Sequence, residues 1–361
     1  MLSREDFASR DAYARQFLEV AKREPQKFKK KIHDVEAGLK HYWPMRTAAE
    51  QETLFTDLLY CDICFGASCE DYFMYDFEHL NHEQRDCFVT ERKRMQLYHA
   101  VNELSSVKLL NHKYETYLRF QDYYQRDILK VSSPTDLVAF IEFISKHPKF
   151  IVKPINQYGG KGIRILDMHK HSAADIFAEM ISDSAGVVLE ELVKQSAEMD
   201  AINGSCLNTI RIMTVCFSDH VELYFPLLRC GRDGSEVDNF SSGGLLAAID
   251  VQNGKVVSPF ADHMRNFHDK HPNSGIVAKD FCLPQWDDAC DMVKKLARLI
   301  PENRIVGWDL AHTSQGWSMI EGNGCPQFGG QIFAKDGWSP IFEKVQERLI
   351  SEMGTPCVWN D

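Results

Sequence analysis

The sequence predicts a mixed α/β protein whose first third is mostly helical, on three observations. From Arg4 to about Lys130 the chain is rich in Glu, Lys, Gln, Leu and aromatic residues, holds little Gly or Pro, and repeats apolar residues at helical spacing. Beyond about Phe150 come β-branched runs, FIVKP, GIRIL, GVVLEEL, TIRIMTV and VELYFPLL, broken by Gly, Asp, Asn and Ser. Among them lie amphipathic stretches, Ala173 to Ile181, Asp287 to Leu299 and Ile341 to Met353, with apolar residues three or four apart.

The helical third opens on the charged stretch MLSREDFASRD, which lacks the apolar segment of a secretory leader. The eleven cysteines are accordingly expected as reduced thiols in the cytoplasm. Cys61 and Cys64 form a CxxC with Cys69 nearby, but no second pair at zinc spacing completes a site, so they read as structural thiols. His33, His41 and His82 likewise stand outside any metal-ligand spacing, and Lys22 to Lys31 reads as the solvated side of a helix.

A chain of 361 residues has room for two or three packed subdomains. Its 44% hydrophobic and 26% charged residues are those of a folded protein. A net charge of -11, from 41 basic and 52 acidic residues, argues against a nucleic-acid binder, whose affinity comes from clustered Lys and Arg. No apolar run approaches the roughly 20 residues of a membrane-spanning helix, so no membrane insertion is expected.

Phe150 to Pro154 reads as a short strand carrying Lys153. Asn156, Gln157, Tyr158, Gly159, Gly160, Lys161 and Gly162 follow, then a second strand, Ile163 to Leu166. Glycines allow backbone N–H groups to approach an oxyanion, and an ammonium supplies a mobile counter-charge. Neither a Walker loop nor a dinucleotide fingerprint is present, and on this segment alone a phosphate loop and an ordinary hairpin turn fit equally.

Val306 to His312 reads as a strand, Ser314 to Gly316 as a turn and Trp317 to Asn323 as the returning strand. Residues two apart share a strand face, so Glu321 and Asn323 project together and Asp309 on the other arm can meet them. Three oxygen donors of this kind suit Mg²⁺, which takes one or two protein carboxylates and leaves room for phosphates. The alternative is that Asp309 caps a turn and Glu321 is merely exposed. The run Gly322 to Gly330 is expected to keep backbone close to a ligand.

A Lys-Pro strand end, a GGKGI loop, a strand ending GluGluLeuVal, and then Asp followed by GluGlyAsn resemble, in this order, the ATP-grasp superfamily. The segments HYWPMRTAAEQETLF, LLNHKYETYLRF, SLNTIRIMTV, VDNFSSGGLLAAID and HPNSGIV followed by LPQW resemble its sugar-transfer-associated branch, over nearly the whole chain beyond about Tyr42. The resemblance implies an ATP-grasp fold, two α/β subdomains clasping ATP after the helical region. Pattern changes near Ser132 and Lys194 set the expected divisions at 1–131, 132–194 and 195–361. It also implies that Lys113 and Lys153 contact the nucleotide phosphates, with Gly159, Gly160, Lys161 and Gly162 as a lid. Glu190, Glu191, Leu192 and Val193 would form the hinge whose backbone reads adenine. Asp309, Glu321 and Asn323 would ligate Mg²⁺, two ions in all, with Mn²⁺ as a substitute. Arg211 would brace the transferred phosphoryl group, so that Arg211, Lys153 and Asn323 form the catalytic set. Relatives carry a clearer acidic residue after the hinge; here Lys194 to Ala197 intervene before Glu198, the candidate for the ribose hydroxyls.

The activity implied is that of a ligase, in which a small-molecule carboxylate becomes an acyl phosphate that an amine or similar nucleophile then attacks, in bacterial polysaccharide or natural-product biosynthesis. A kinase of the same fold acting on a hydroxyl, and a non-catalytic nucleotide binder, are the alternatives. The substrate site is expected between the metal hairpin and the loop Asp238 to Gly244, with Arg229, Arg232, Asn239, Ser242, Gly243 and His271 as candidate contacts. For Arg232 an exposed hairpin tip, and for His271 a turn-stabilising role, are the competing readings. The helical third fits an acceptor-binding cap, a homodimer surface or a plain support equally.

Overall fold

The computed structural model describes residues 4–156, 162–182, 185–235 and 237–359, with Gly159, Gly160 and Lys161 of the expected lid outside them. It is 47% helical and 21% strand. The chain forms two compact units, one of residues 1–101 and 327–358, the other of 102–326 and 359–361.

The first unit is helical. Its elements are α1 (Arg4–Arg23), α2 (Pro25–Tyr42), α3 (Ala48–Phe65), α4 (Cys69–Met74), α5 (His82–Asp86) and α6 (Glu91–Val101). Three of these begin on reciprocal capping boxes, Thr47 with Glu50, Ser68 with Asp71 and Asn81 with Gln84, which satisfy amides that the first turn leaves open. The helix Ser339–Met353 also belongs here, and not with the strands that precede it, because it buries Phe342, Val345 and Leu349 and packs on α6. Its amphipathic pattern announced a buried face but carried no information on which surface would cover it.

At the centre of this unit Asp57 and Arg85, each 2% exposed, meet in a two-pronged ion pair of 2.9 and 2.8 Å. Tyr72 donates to the same carboxylate at 2.6 Å, and Arg85 also donates to the Phe77 carbonyl. Breaking one side of such a pair leaves a buried charge uncompensated, so Asp57→Asn is expected to destabilise the fold by about 3–5 kcal/mol in denaturant titration.

The second unit carries two sheets. The smaller has β1 (Ile128–Val131), β2 (Lys149–Pro154), β3 (Arg164–Asp167) and β4 (Val187–Glu191) in the order β1-β4-β2-β3, all antiparallel. One of its faces buries Phe150, Val152, Leu166 and Leu189 against Phe140, Phe143, Ile176, Phe177 and Met180 of the helices Leu137–Lys146 and Ala173–Ser182.

The larger sheet is built from β5 (Thr209–Cys216), β6 (Val221–Cys230), β7 (Leu245–Ala248), β8 (Phe260–Ala261), β9 (Phe267–His268), β10 (Ile305–Thr313) and β11 (Gly316–Asn323). Its order is β11-β10-β5-β6-β7-β8-β9. Ile210, Ile212, Leu228, Cys230, Trp308 and Leu310 turn one face into a core shared with Ala289, Val293, Leu296 and Ala297 of the helix Trp286–Leu299. Strand alternation then sends the intervening residues to the opposite face.

Candidate functional site

That opposite face can be read from register. Asp309 stands across from Arg211 on β5 and from Glu321 on β11, while Thr209 faces Arg229 on β6 and Gly307 faces Asn323. Thr209, Arg211, Arg229, Asp309, Glu321 and Asn323 therefore share one side of the sheet. The hairpin of β10 and β11 turns through Ser314 and Gln315, while Gly316, read from sequence as part of the turn, already pairs with Thr313 in β11. Gly322 lies on the core side, where a Cβ would stand 2.8 Å from the Trp308 ring; packing on Trp308 accounts for this glycine.

Asp309 is 3% exposed and accepts three charged hydrogen bonds. Arg211 donates to both its oxygens at 2.6 Å, and Arg229 adds one at 2.5 Å. Burial pushes this carboxyl up, and the two guanidiniums outweigh it, so Asp309 lies below its ordinary value. A carboxylate offers about four acceptor positions, which leaves one on Oδ1. Glu321 is exposed and makes no hydrogen bond or ion pair with another described residue. The Asn323 Nδ2 donates to the Gly307 carbonyl at 3.4 Å, leaving its amide oxygen as an acceptor. This donor set, hard oxygens on adjacent strands, fits a divalent cation such as Mg²⁺.

On the other sheet Glu190, 5% exposed, is the hub. Its Oε1 accepts from Lys153 Nζ at 2.8 Å and its Oε2 from Arg126 at 2.9 and 2.8 Å. Burial raises its pKa, but Lys153 and then Arg126 hold it down at about 2. Lys113, at the start of the helix Lys113–Phe120, lies below its ordinary value chiefly through burial; the charges acting on it are those of Glu321, Lys153 and Glu190. Two lysines and the acidic end of β11 thus share one electrostatic neighbourhood.

Residues 92–347 match the family model described as sugar-transfer associated ATP-grasp. The chain belongs to this family. The most similar solved structures include the ATP-grasp ligase PsnB complexed with a minimal precursor, at 16% identity over 70% of this chain and 63% of that one, with a TM-score of 0.42. D-alanyl-alanine synthetase A from Vibrio cholerae O1 biovar eltor str. N16961 matches at 11% identity over 68% and 67%, TM-score 0.42. The D-alanine-D-alanine ligase from Helicobacter pylori matches at 14% over 70% and 64%, TM-score 0.42. The chain thus spans less than two thirds of the PsnB and Helicobacter pylori chains. A search of curated proteins finds no match.

The ATP-grasp hinge candidates lie where β4 ends. Glu190 and Glu191 are its last residues, and the half-buried Leu192 and Val193 follow without a backbone hydrogen bond to another described residue. Gly162 has a positive φ of 71° beside the start of β3. Glu198 is exposed in the first turn of the helix Ala197–Ile202.

Among the substrate candidates Arg229 reaches Asn239 Oδ1 at 2.9 Å and Asp238 Oδ1 at 3.3 Å, so these three join the Asp309 cluster. Ser242 and Gly243 lie on the exposed turn that follows Asn239. Arg232 instead donates to Asp262 at 2.9 Å, pinning a neighbouring hairpin. His271 is fully buried, with Nε2 on the Gly231 carbonyl and Nδ1 facing the amides of Asn273 and Ser274. Both its nitrogens are therefore occupied, Nδ1 within its own turn and Nε2 by the carbonyl that follows the end of strand β6.

Two residues were not singled out from sequence. Asp238 accepts from Thr209 Oγ1 and has its pKa raised by burial, against the pull of Arg229. Arg126 precedes β1 with no motif around it, and only its partners distinguish it. A separate group, Asp127, His147 and Glu191, has ligand-type atoms within 4.8 Å of one another, but it is an outward-lying ion-pair cluster on the small sheet, apart from Asp309, Glu321 and Asn323.

Proposed function

We propose that the protein is a Mg-ATP-dependent ligase of the cytoplasm that activates a small-molecule carboxylate as an acyl phosphate for attack by an amine or similar nucleophile. The observation that carries this reading is the shared sheet face of Arg211, Arg229, Asp309, Glu321 and Asn323 with Lys113 and Lys153 in its electrostatic neighbourhood. In the first step a substrate carboxylate oxygen forms a bond to the γ-phosphorus as the bond to ADP breaks. In the second the amine nitrogen attacks the acyl carbon, inorganic phosphate leaves, and the amine loses a proton. Such chemistry asks the protein for positioning and for charge placed where charge develops.

Lys113 and Lys153 hold the phosphates, and Leu192 and Val193 present free backbone edges to the adenine. Glu198 is assigned to the ribose. Asp309, Glu321 and Asn323 would hold Mg²⁺, one or two ions, which when bound neutralises phosphate charge. Arg211 and Arg229, kept in place by Asp309, face the transferred group and the acid. The loop at Asn239, Ser242 and Gly243 borders the acceptor. Gly162, with its positive φ beside β3, is assigned to the phosphate side of the nucleotide site. The family's association with sugar transfer supports a setting in polysaccharide or natural-product biosynthesis. All eleven cysteines are free thiols, in keeping with the cytoplasm.

The test incubates protein, MgATP and pooled amino, hydroxy and sugar acids with and without hydroxylamine, followed by mass spectrometry. ADP with an acid-derived hydroxamate is expected. ADP with a stable phosphorylated product and no hydroxamate would make the protein a kinase, and ATP left intact across all pools would leave a nucleotide binder.

A further inference from the structure

Arg126 is 2% exposed at its side chain and lies on the segment between the helix Lys113–Phe120 and β1. Its guanidinium works in two directions. Toward the small sheet, Nε and Nη2 donate to Glu190 Oε2, whose other oxygen holds Lys153 Nζ. Toward the large sheet, Nη1 donates to the Met319 carbonyl at 2.6 Å and the Tyr124 carbonyl at 3.1 Å, and Nη2 approaches the Ile320 carbonyl at 3.5 Å. The Tyr124 ring lies 4.5 Å from its centre and fixes the plane of the fork.

The place where it grips β11 is the irregular one. Asp309 pairs with Glu321, but its neighbour Leu310 pairs with Met319, so Ile320 is the extra residue of a bulge. A bulge breaks the ladder and re-aims the side chain beside it, here Glu321. Arg126 supplies donors to the carbonyls of that bulge and, through Glu190, fixes the ammonium of Lys153. An Arg fork suits this double task because its donors are rigidly spaced, which a lysine cannot reproduce.

We infer that Arg126 is a positioning residue that sets Lys153 and Glu321 at a common distance, so that the phosphate-binding ammonium and the metal-binding carboxylate act on one Mg-nucleotide. The inference rests on the Mg-ATP reading above. Arg126 itself touches no substrate.

The experiment titrates a non-hydrolysable ATP analogue calorimetrically at several Mg²⁺ concentrations. The proteins are the wild type, Arg126→Gln, Arg126→Lys, Lys153→Met, Glu321→Gln, and Arg126→Gln combined with each of the last two. Arg126→Gln is expected to weaken binding by about tenfold and to raise the Mg²⁺ concentration needed for half-saturation, as loss of a supporting partner does at metal sites. In the Lys153→Met and Glu321→Gln backgrounds its effect should shrink to about threefold or less, because the group it positions has gone. Arg126→Lys keeps the charge beside Glu190 without the fork, tolerates folding better than Gln, and should show the same Mg²⁺ shift. Unchanged affinity in Arg126→Gln, a full loss repeated in both backgrounds, or complete rescue by Lys overturns the inference while nucleotide binding by the wild type stands. A wild type that binds no Mg-nucleotide would instead remove the reading on which it rests.

Discussion

Asp309→Asn is expected to lose both stability and turnover, the largest combined effect in the molecule. The carboxylate is the common counter-charge of Arg211 and Arg229, and both guanidiniums would keep their burial without it. An asparagine turns an amide N–H₂ toward one of them. Stripping one partner from a buried ion pair costs about 3–5 kcal/mol, which a thermal or denaturant melt will show. Turnover, followed as ADP release, should fall by roughly 10²–10³-fold, because the donors aimed at the developing charge lose their fixed positions. Asp309→Leu combined with Arg211→Met and Arg229→Met separates the two effects. Replacing all three charged partners with apolar groups of similar shape restores much of the stability, whereas turnover stays lost. An Asp309→Asn protein with unchanged melting and turnover would mean that the arginines do not depend on it.

Lys153→Met comes second. The side chain is 12% exposed and its ammonium balances one oxygen of Glu190. Its removal should weaken Mg-nucleotide binding by about 100-fold, as measured by calorimetry, since a desolvated charge on phosphate is lost. Acid stability should change as well. The folded-state pKa of Glu190, about 2, lies below the ordinary 4.5, so its ionised form stabilises the fold above pH 4.5 and that contribution is lost as pH falls towards 2. The full contribution is on the order of 3 kcal/mol. Without Lys153 only Arg126 opposes burial, so the folded pKa rises and the acid-unfolding midpoint of Lys153→Met should move to higher pH. An unmoved midpoint would mean that Lys153 does not hold Glu190 down.

The parts of the site that were legible in the sequence are those fixed by local periodicity. Alternation along 305–323 and the turn read at Ser314 to Gly316 put Asp309 and Glu321 on facing arms, but their pairing rests on a bulge at Ile320 that the alternation does not announce. Lys153 could be placed on its strand from FIVKP, and Arg211 on its strand from TIRIMTV. What escaped is set by partners far apart in the chain. Arg126 meets Glu190 across 64 residues and Met319 across 193, and nothing in ArgAspIle marks it as buried. His271 and Arg232 have the residue types of anion binders, but the Gly231 carbonyl and the Asp262 carboxylate, 40 and 30 residues away in the chain, occupy their polar atoms. The helix Ser339–Met353 shows the same limit at the level of the fold, since amphipathicity names the buried face of a helix and not the surface it meets.

In the proposed function the face bearing Asp309, Glu321 and Asn323 holds a Mg-nucleotide together with Lys113 and Lys153. The most direct measurement is calorimetric titration of a non-hydrolysable ATP analogue into the wild type and Glu321→Gln, with Mg²⁺ and with EDTA. Saturable binding by the wild type that requires Mg²⁺, and loss of that requirement along with most of the affinity in Glu321→Gln, is the expected result. Equal Mg²⁺-dependent affinity in both proteins would contradict it and place the metal on other residues.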